Sequence, residues 1–130
     1  MKKVILLFAA LFMLGCHENL EERAARESAE YTRKSCPQML NEYTTLDSTT
    51  FDIKSRTFNH YITLNGDADN QAMASYKATE LHDALAENLK FDTSQKKYKD
   101  AGFSYKYIAR SAKEKGRILF ETTITKEEYQ

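Results

Sequence analysis

The chain has 130 residues, 19 basic and 19 acidic side chains, and no formal net charge. Its length favours one domain, and 42% hydrophobic against 29% charged residues excludes a wholly disordered chain. Balanced charge argues against a dedicated nucleic-acid binder, and one Pro with four Gly excludes collagen-like and low-complexity classes.

In chain order, Lys2 and Lys3 precede eleven consecutive apolar residues, Val4 to Leu14, and then Gly15-Cys16. A basic start, a short apolar core and a small residue before the break predict a secretory signal over residues 1–15. Spanning a bilayer takes about 20 apolar residues, so eleven are too few for a permanent helical anchor. Met13-Leu14-Gly15-Cys16 resembles the lipobox of bacterial lipoproteins, with Met13 where Leu is usual and Leu14 where a small residue is usual. The resemblance implies cleavage before Cys16 and acylation of its thiol. Stable membrane attachment takes more than one lipid chain, which the two or three chains of such a cysteine supply. Residues 16–130 would then form a single α+β domain with 17 basic and 19 acidic residues. Acylation leaves Cys36 without an intramolecular partner; without it, a Cys16–Cys36 bridge is open.

Residues 19–35 read as a helix, with Ala25, Ala29, Thr32 and Cys36 as its inner stripe, ended by Cys36-Pro37. Thr45 to Ile53 and Thr57 to Leu64 read as a hairpin joined by Lys54-Ser55-Arg56. After Asn65-Gly66-Asp67, a second helix runs from about Asp69 to Lys90, with Ala74, Ala78, Leu81, Leu85 and Leu89 as its stripe. Asp92 to Asp100 is polar. Phe103 to Arg110 and Arg117 to Thr125 form a second hairpin.

Period two sorts these strands into two faces. One gathers Phe51, Ile53, Phe58, Ile62, Leu64, Phe103, Tyr105, Tyr107, Ile118, Phe120 and Ile124. The other shows Asp52, Asn59, Tyr61, Thr63, Lys106, Ile108, Arg110, Leu119 and Glu121. The expectation is a two-layer α+β fold of order α-β-β-α-β-β. It has a four-stranded antiparallel sheet of two hairpins, two helices on one face, and the second face wet.

Cys36-Pro37 closing the first helix, Thr45-Leu46-Asp47-Ser48 entering strand one, Tyr98-Lys99-Asp100-Ala101-Gly102-Phe103 entering strand three and Gly116-Arg117-Ile118-Leu119-Phe120 on strand four form a recognisable set. The chain resembles the small envelope lipoproteins of Bacteroides-type bacteria. That resemblance implies this fold and an envelope address, and brings no catalytic residues.

Motifs of catalysis are missing from the sequence: no Gly-rich phosphate loop, Cys-x-x-Cys, His-Glu-x-x-His or Gly-x-Ser-x-Gly. His17 adjoins the anchor, His60 falls in phase with the core, and His82 reads as solvated beside Asp83. None has a second ligand at metal spacing, so neither a metal nor a cofactor is expected. Glu21-Glu22 and Glu127-Glu128 read as solvated ends. Lys96, Lys97 and Lys99 interleave with Tyr98 in a basic loop, a candidate contact for anionic lipid or phosphate.

Asn59, Tyr61, Lys106, Ile108, Arg110, Leu119 and Glu121 form the candidate interaction face, because amphipathic aromatic and Arg residues anchor protein interfaces. The expected function is a non-catalytic binding or inhibitory module of the cell envelope, anchored through Cys16 and holding an envelope protein on that face. Two alternatives remain: a glycan- or lipid-binding carrier or enzyme, and a structural accessory subunit of an envelope complex. By resemblance to enterobacterial lipoprotein sorting, the absence of Asp after Cys16 leans toward the outer membrane rather than the inner. Glu18, Glu21 and Glu22 resemble the acidic stretch that some Bacteroides-type lipoproteins use for surface export, so periplasm-facing and surface-exposed both stay open.

Overall fold

The computed structural model describes residues 18–130, so the signal segment and Cys16 lie outside the described residues. The elements are α1 (Leu20–Ser35), β1 (Gln38–Asn41), β2 (Thr44–Asp52), β3 (Thr57–Leu64), α2 (Gln71–Tyr76), α3 (Ala78–Phe91), α4 (Lys96–Asp100), β4 (Ser104–Ser111), β5 (Ile118–Ile124) and α5 (Lys126–Tyr129). Short 3₁₀ turns at Gly66–Ala68 and Thr93–Gln95 precede α2 and α4.

The sheet has five strands in the order β1-β2-β3-β4-β5. Neighbours are antiparallel except β3 and β4, which run parallel from Thr57↔Ser104 to Leu64↔Ser111. This overturns the expected four-stranded antiparallel sheet with two helices. β3 finishes at one end of the sheet, and α2, α3 and α4 carry the chain back to the other end before β4 begins. A strand that re-enters beside its predecessor after such a helical crossover must run parallel to it.

α1 begins at an Asn19 cap whose side chain accepts from the Glu22 N–H at 2.7 Å, with Glu21 and Glu22 in the first turn and Arg33 and Lys34 in the last. Its buried positions are Ala24 and Ser28, one step from the expected Ala25-Ala29 stripe. Hydrogen bonds to β2 set that rotation. Thr32 Oγ1 donates to the Thr49 carbonyl at 2.9 Å, and Thr49 Oγ1 donates to the Ser28 carbonyl at 3.2 Å.

The second expected helix breaks at Lys77 into α2 and α3. The break resets the helical phase: Ala74 and Leu89 stay buried while Leu81 is exposed. The expected polar segment 92–100 instead forms α4 and buries Tyr98. β1 and α5 were not expected.

One core holds the layers together. Ala24 of α1, Leu89 of α3, Tyr98 of α4 and Tyr129 of α5 pack with Phe51, Phe58, Phe103, Tyr105 and Ile124. Phe51–Phe58 and Phe58–Tyr105 ring centroids lie 4.7 and 5.2 Å apart. Each such pair adds about 0.5–1.5 kcal/mol beyond burial. Ile53 and Ile118, expected in this core, are instead exposed: Ile53 lies in the β2–β3 turn, and Ile118 opens β5 beside a register shift.

Candidate functional site

The sheet face opposite the helices is built by alternation along β3, β4 and β5. Tyr61, Ile108 and Glu121 stand side by side in register, flanked by Asn59↔Lys106 and Thr63↔Arg110. The Lys106 ammonium meets the Glu121 carboxylate at 2.7 Å, and the Arg110 guanidinium lies 5.5 Å from the Tyr61 ring centroid. Ile108 is only 5% exposed at the centre of this group. Asn59 Nδ2 donates to Thr50 Oγ1 at 3.3 Å, and Thr63 Oγ1 donates to Asp47.

Six of the seven expected interaction residues therefore share one face: Asn59, Tyr61, Lys106, Ile108, Arg110 and Glu121. Leu119 does not join them. The register shifts between Ala109 and Arg110, so that Phe120 opposes Ala109 and Ile118 opposes Arg110, leaving Leu119 as the extra residue. Leu119 is buried, lines a surface hollow with Ala74 of α2, and accepts at its carbonyl from Gln71 Nε2 at 3.1 Å. A second bulge, at Asp47 of β2, keeps Leu46 on the helix side opposite Ile62 while Ser48 opposes Tyr61.

The basic run is a helix whose ammonium groups are already engaged. Lys96 pairs with Asp100 at 2.9 Å, and Lys97 with Glu27 at 3.3 Å. Lys99 Nζ donates to the carbonyls of Leu89 and Lys90 at 2.7 and 3.0 Å, closing the end of α3. Glu27 is the hub between α1 and α4. Desolvation pulls its carboxyl upward, but hydrogen bonds from Arg23, Tyr98 and Lys97 outweigh it and hold the group at about 2.

On the helix side, a cleft of about 360 Å³ opens between α1 and the segment before α4. Glu27, Tyr31, Thr49, His60, Gln95 and Tyr105 line it, among others. His60 stacks on Tyr107 with centroids 4.6 Å apart, and its Nδ1 lies 3.3 Å from the Lys106 carbonyl. Burial lowers the His60 pKa, and that carbonyl contact offsets part of the drop. Burial also lifts the Tyr107 phenol to about 12.

His82 is not the solvated residue its sequence position suggested. Its ring bonds Thr122 Oγ1 through Nδ1 and Glu128 through Nε2. These are the residue types of a hydroxyl–imidazole–carboxylate relay. Glu128, however, also accepts from the Thr125 N–H at 2.9 Å and so closes the first turn of α5. The group thus clamps α3, β5 and α5 together. No sequence pattern marks it, because Thr122 and Glu128 lie 40 and 46 residues from His82 and all three sit on separate elements.

Cys36 is half-buried and has no disulfide partner among the described residues. Burial first and Asp47 second raise its pKa, which keeps the thiol protonated and a poor nucleophile. Among the described residues no three His, Cys, Asp or Glu side chains gather as a metal-binding group, and no helix is long and apolar enough to cross a membrane.

Residues 19–120 match a domain of unknown function, DUF8479, and the chain belongs to that family. No curated protein matches it in sequence. Three solved structures share the fold. A protein of Pseudomonas aeruginosa assigned as secreted is 10% identical, with a TM-score of 0.64 over 87% of this chain and 99% of that one. The type II secretion system pilotin AspS of Vibrio cholerae is 18% identical, with a TM-score of 0.61 over 89% and 97%. The type II secretion pilotin EpsS of Vibrio vulnificus is 15% identical, with a TM-score of 0.58 over 85% and 92%. At these identities the likeness is one of fold.

Proposed function

We propose that this protein is an envelope accessory lipoprotein, anchored through Cys16 after removal of residues 1–15. In this reading it holds an envelope protein on the open sheet face and has no catalytic role. The observation that carries it is the face itself: Tyr61, Arg110, Lys106 and Glu121 ring the buried Ile108, and the helices of the core pack on the opposite side. What this face offers to a partner is the aromatic, the Arg and the Lys–Glu pair that cover the filled Ile108 position, and aromatic and Arg side chains are the usual anchors of protein-binding surfaces. Two further observations support it. The fold is shared with two type II secretion pilotins, and the start of the sequence has the residues of a lipoprotein signal. The outer membrane is the favoured address, by resemblance to enterobacterial lipoproteins whose lipidated Cys is not followed by Asp.

Site-specific photo-crosslinking in the native host tests the reading. A benzophenone side chain at position 61 or 110 is expected to give one discrete protein adduct, while the same group at Asp83, on the helix side, gives none. Adducts from position 83 alone would place the partner on the helix layer and refute the assignment.

A further inference from the structure

Only His17 stands between Cys16 and the described chain, whose first residue is Glu18. Consecutive Cα atoms are about 3.8 Å apart, so the Cys16 Cα lies within about 8 Å of the Glu18 Cα whatever path the chain takes. Glu18 is itself tied to the folded domain. Its carboxylate takes two contacts from Arg26, Nε–Oε1 at 2.8 Å and Nη2–Oε2 at 3.0 Å. Such a bidentate fork fixes geometry as well as charge. The lipid attachment point therefore has almost no free linker.

The start of α1 sits at one end of the sheet. Arg56 in the β2–β3 turn contacts Glu21 at 3.2 Å and donates to the Ala101 carbonyl at 3.1 Å. Lys126, which opens α5, packs against the turn at Gly102. The tip of this end is Ile53-Lys54-Ser55. Ile53 is 49% exposed although it is a large aliphatic residue, and among the described residues neither Lys54 nor Lys126 is in an ion pair. At the opposite end lie β1, the Gly66–Ala68 turn and the β4–β5 turn, joined by Asn65 N–H to the Tyr43 carbonyl at 2.9 Å and Lys113 N–H to Asp69 at 3.0 Å.

We infer that the β2–β3 tip, Ile53 and Lys54 with Lys126 beside it, rests on the phospholipid surface that holds the Cys16 acyl chains. The strands then stand upright, and the β4–β5 turn points away from the bilayer. This inference rests on the acylation of Cys16. An exposed aliphatic residue next to an unpaired lysine suits the boundary between acyl chains and anionic headgroups. Eight-residue β3 spans about 26 Å at 3.3 Å per residue, so the two ends of the sheet sit at well separated depths. The open face then stands roughly perpendicular to the membrane, free of lipid along its length.

The test is spin-label depth in the full-length acylated protein, purified from its membrane with Cys36→Ser as background. It is reconstituted in phosphatidylethanolamine–phosphatidylglycerol vesicles. Nitroxides are placed at Lys54→Cys in one sample and Lys115→Cys in another, and mass spectrometry reads the acylation of Cys16 in both. The expected result is a several-fold larger ratio of oxygen to aqueous-chelate accessibility at position 54, with position 115 fully aqueous. Equal or reversed ratios in acylated protein would overturn the orientation while leaving the anchor intact. An unmodified Cys16 in the mass spectrum would refute the anchor and the orientation with it.

Discussion

The two faces of the sheet use the same strands to opposite ends. On the helix side, Phe51, Phe58, Tyr105 and Ile124 form one continuous row across four strands, at most 9% exposed. One residue along, Thr50, Asn59, Lys106 and Thr123 form the neighbouring row on the open side. The first row carries cohesion, because each side chain loses its water and meets rings from several elements. The open face around the second row carries little cohesion, because the Lys106–Glu121 ion pair and the Arg110–Tyr61 contact stay close to solvent. Apart from the buried Ile108, residues of the open face are therefore free to serve a partner without serving the fold, and that asymmetry can be tested by mutation.

The sharpest break is expected at Phe58→Ala. It removes a ring that touches Phe51, Tyr98, Phe103 and Tyr105, and should cost about 3–5 kcal/mol in a urea unfolding curve. Tyr61→Ala, three residues on and facing the other way, should cost under about 1 kcal/mol. Equal losses from the two would mean that the open face is part of the core.

His82→Ala tests whether the clamp belongs to the covered layer. Removing a ring with two hydrogen bonds leaves Thr122 and Glu128 without it, and should cost about 1–2 kcal/mol. A Glu128→Gln variant that keeps full stability would argue that only the Thr122 contact matters.

Acid titration sharpens the contrast further. Glu27 is held near 2 in the folded chain against an ordinary value of 4.5, so the unfolded state takes up its proton first as pH falls. Its contribution is fully present above about pH 4.5 and is lost progressively on descending to about 2. Glu27→Gln should flatten that part of the stability–pH curve. His60 acts at higher pH: its lowered pKa makes the unfolded state the stronger proton binder just below 6.5, so stability falls as pH drops from there. His60→Phe should remove this slope and keep the stack on Tyr107. The smallest effect is expected from Lys106→Ala, within about 0.5 kcal/mol, since its pairing with Glu121 is partly exposed.

Much of the strand alternation was legible in the sequence. β3 runs from Thr57 to Leu64 as its pattern indicates, and Asn59, Tyr61, Lys106, Ile108, Arg110 and Glu121 fall on one face by period two. What failed was whatever depends on a distant neighbour. The bulge at Leu119 is set by pairing with β4 and by Gln71 beneath it, so a period-two count misplaced that residue. The parallel β3–β4 pair is decided by the path of three helices. β1 is a four-residue edge strand whose side chains are all exposed, so no buried face writes itself into its sequence. Tyr98 was hidden among lysines whose charges turned out to be engaged by Glu27, Asp100 and helix carbonyls.

The central claim, that the open face holds a partner and the covered face holds the fold, is tested most directly by one paired measurement. Wild-type protein and a Lys106→Glu/Arg110→Glu variant are compared in their native envelope, reading the position-61 photo-adduct alongside the thermal midpoint of each purified protein. The account predicts that the variant loses the adduct while its midpoint stays within a few degrees of wild type. An undiminished adduct at an unchanged midpoint would contradict it.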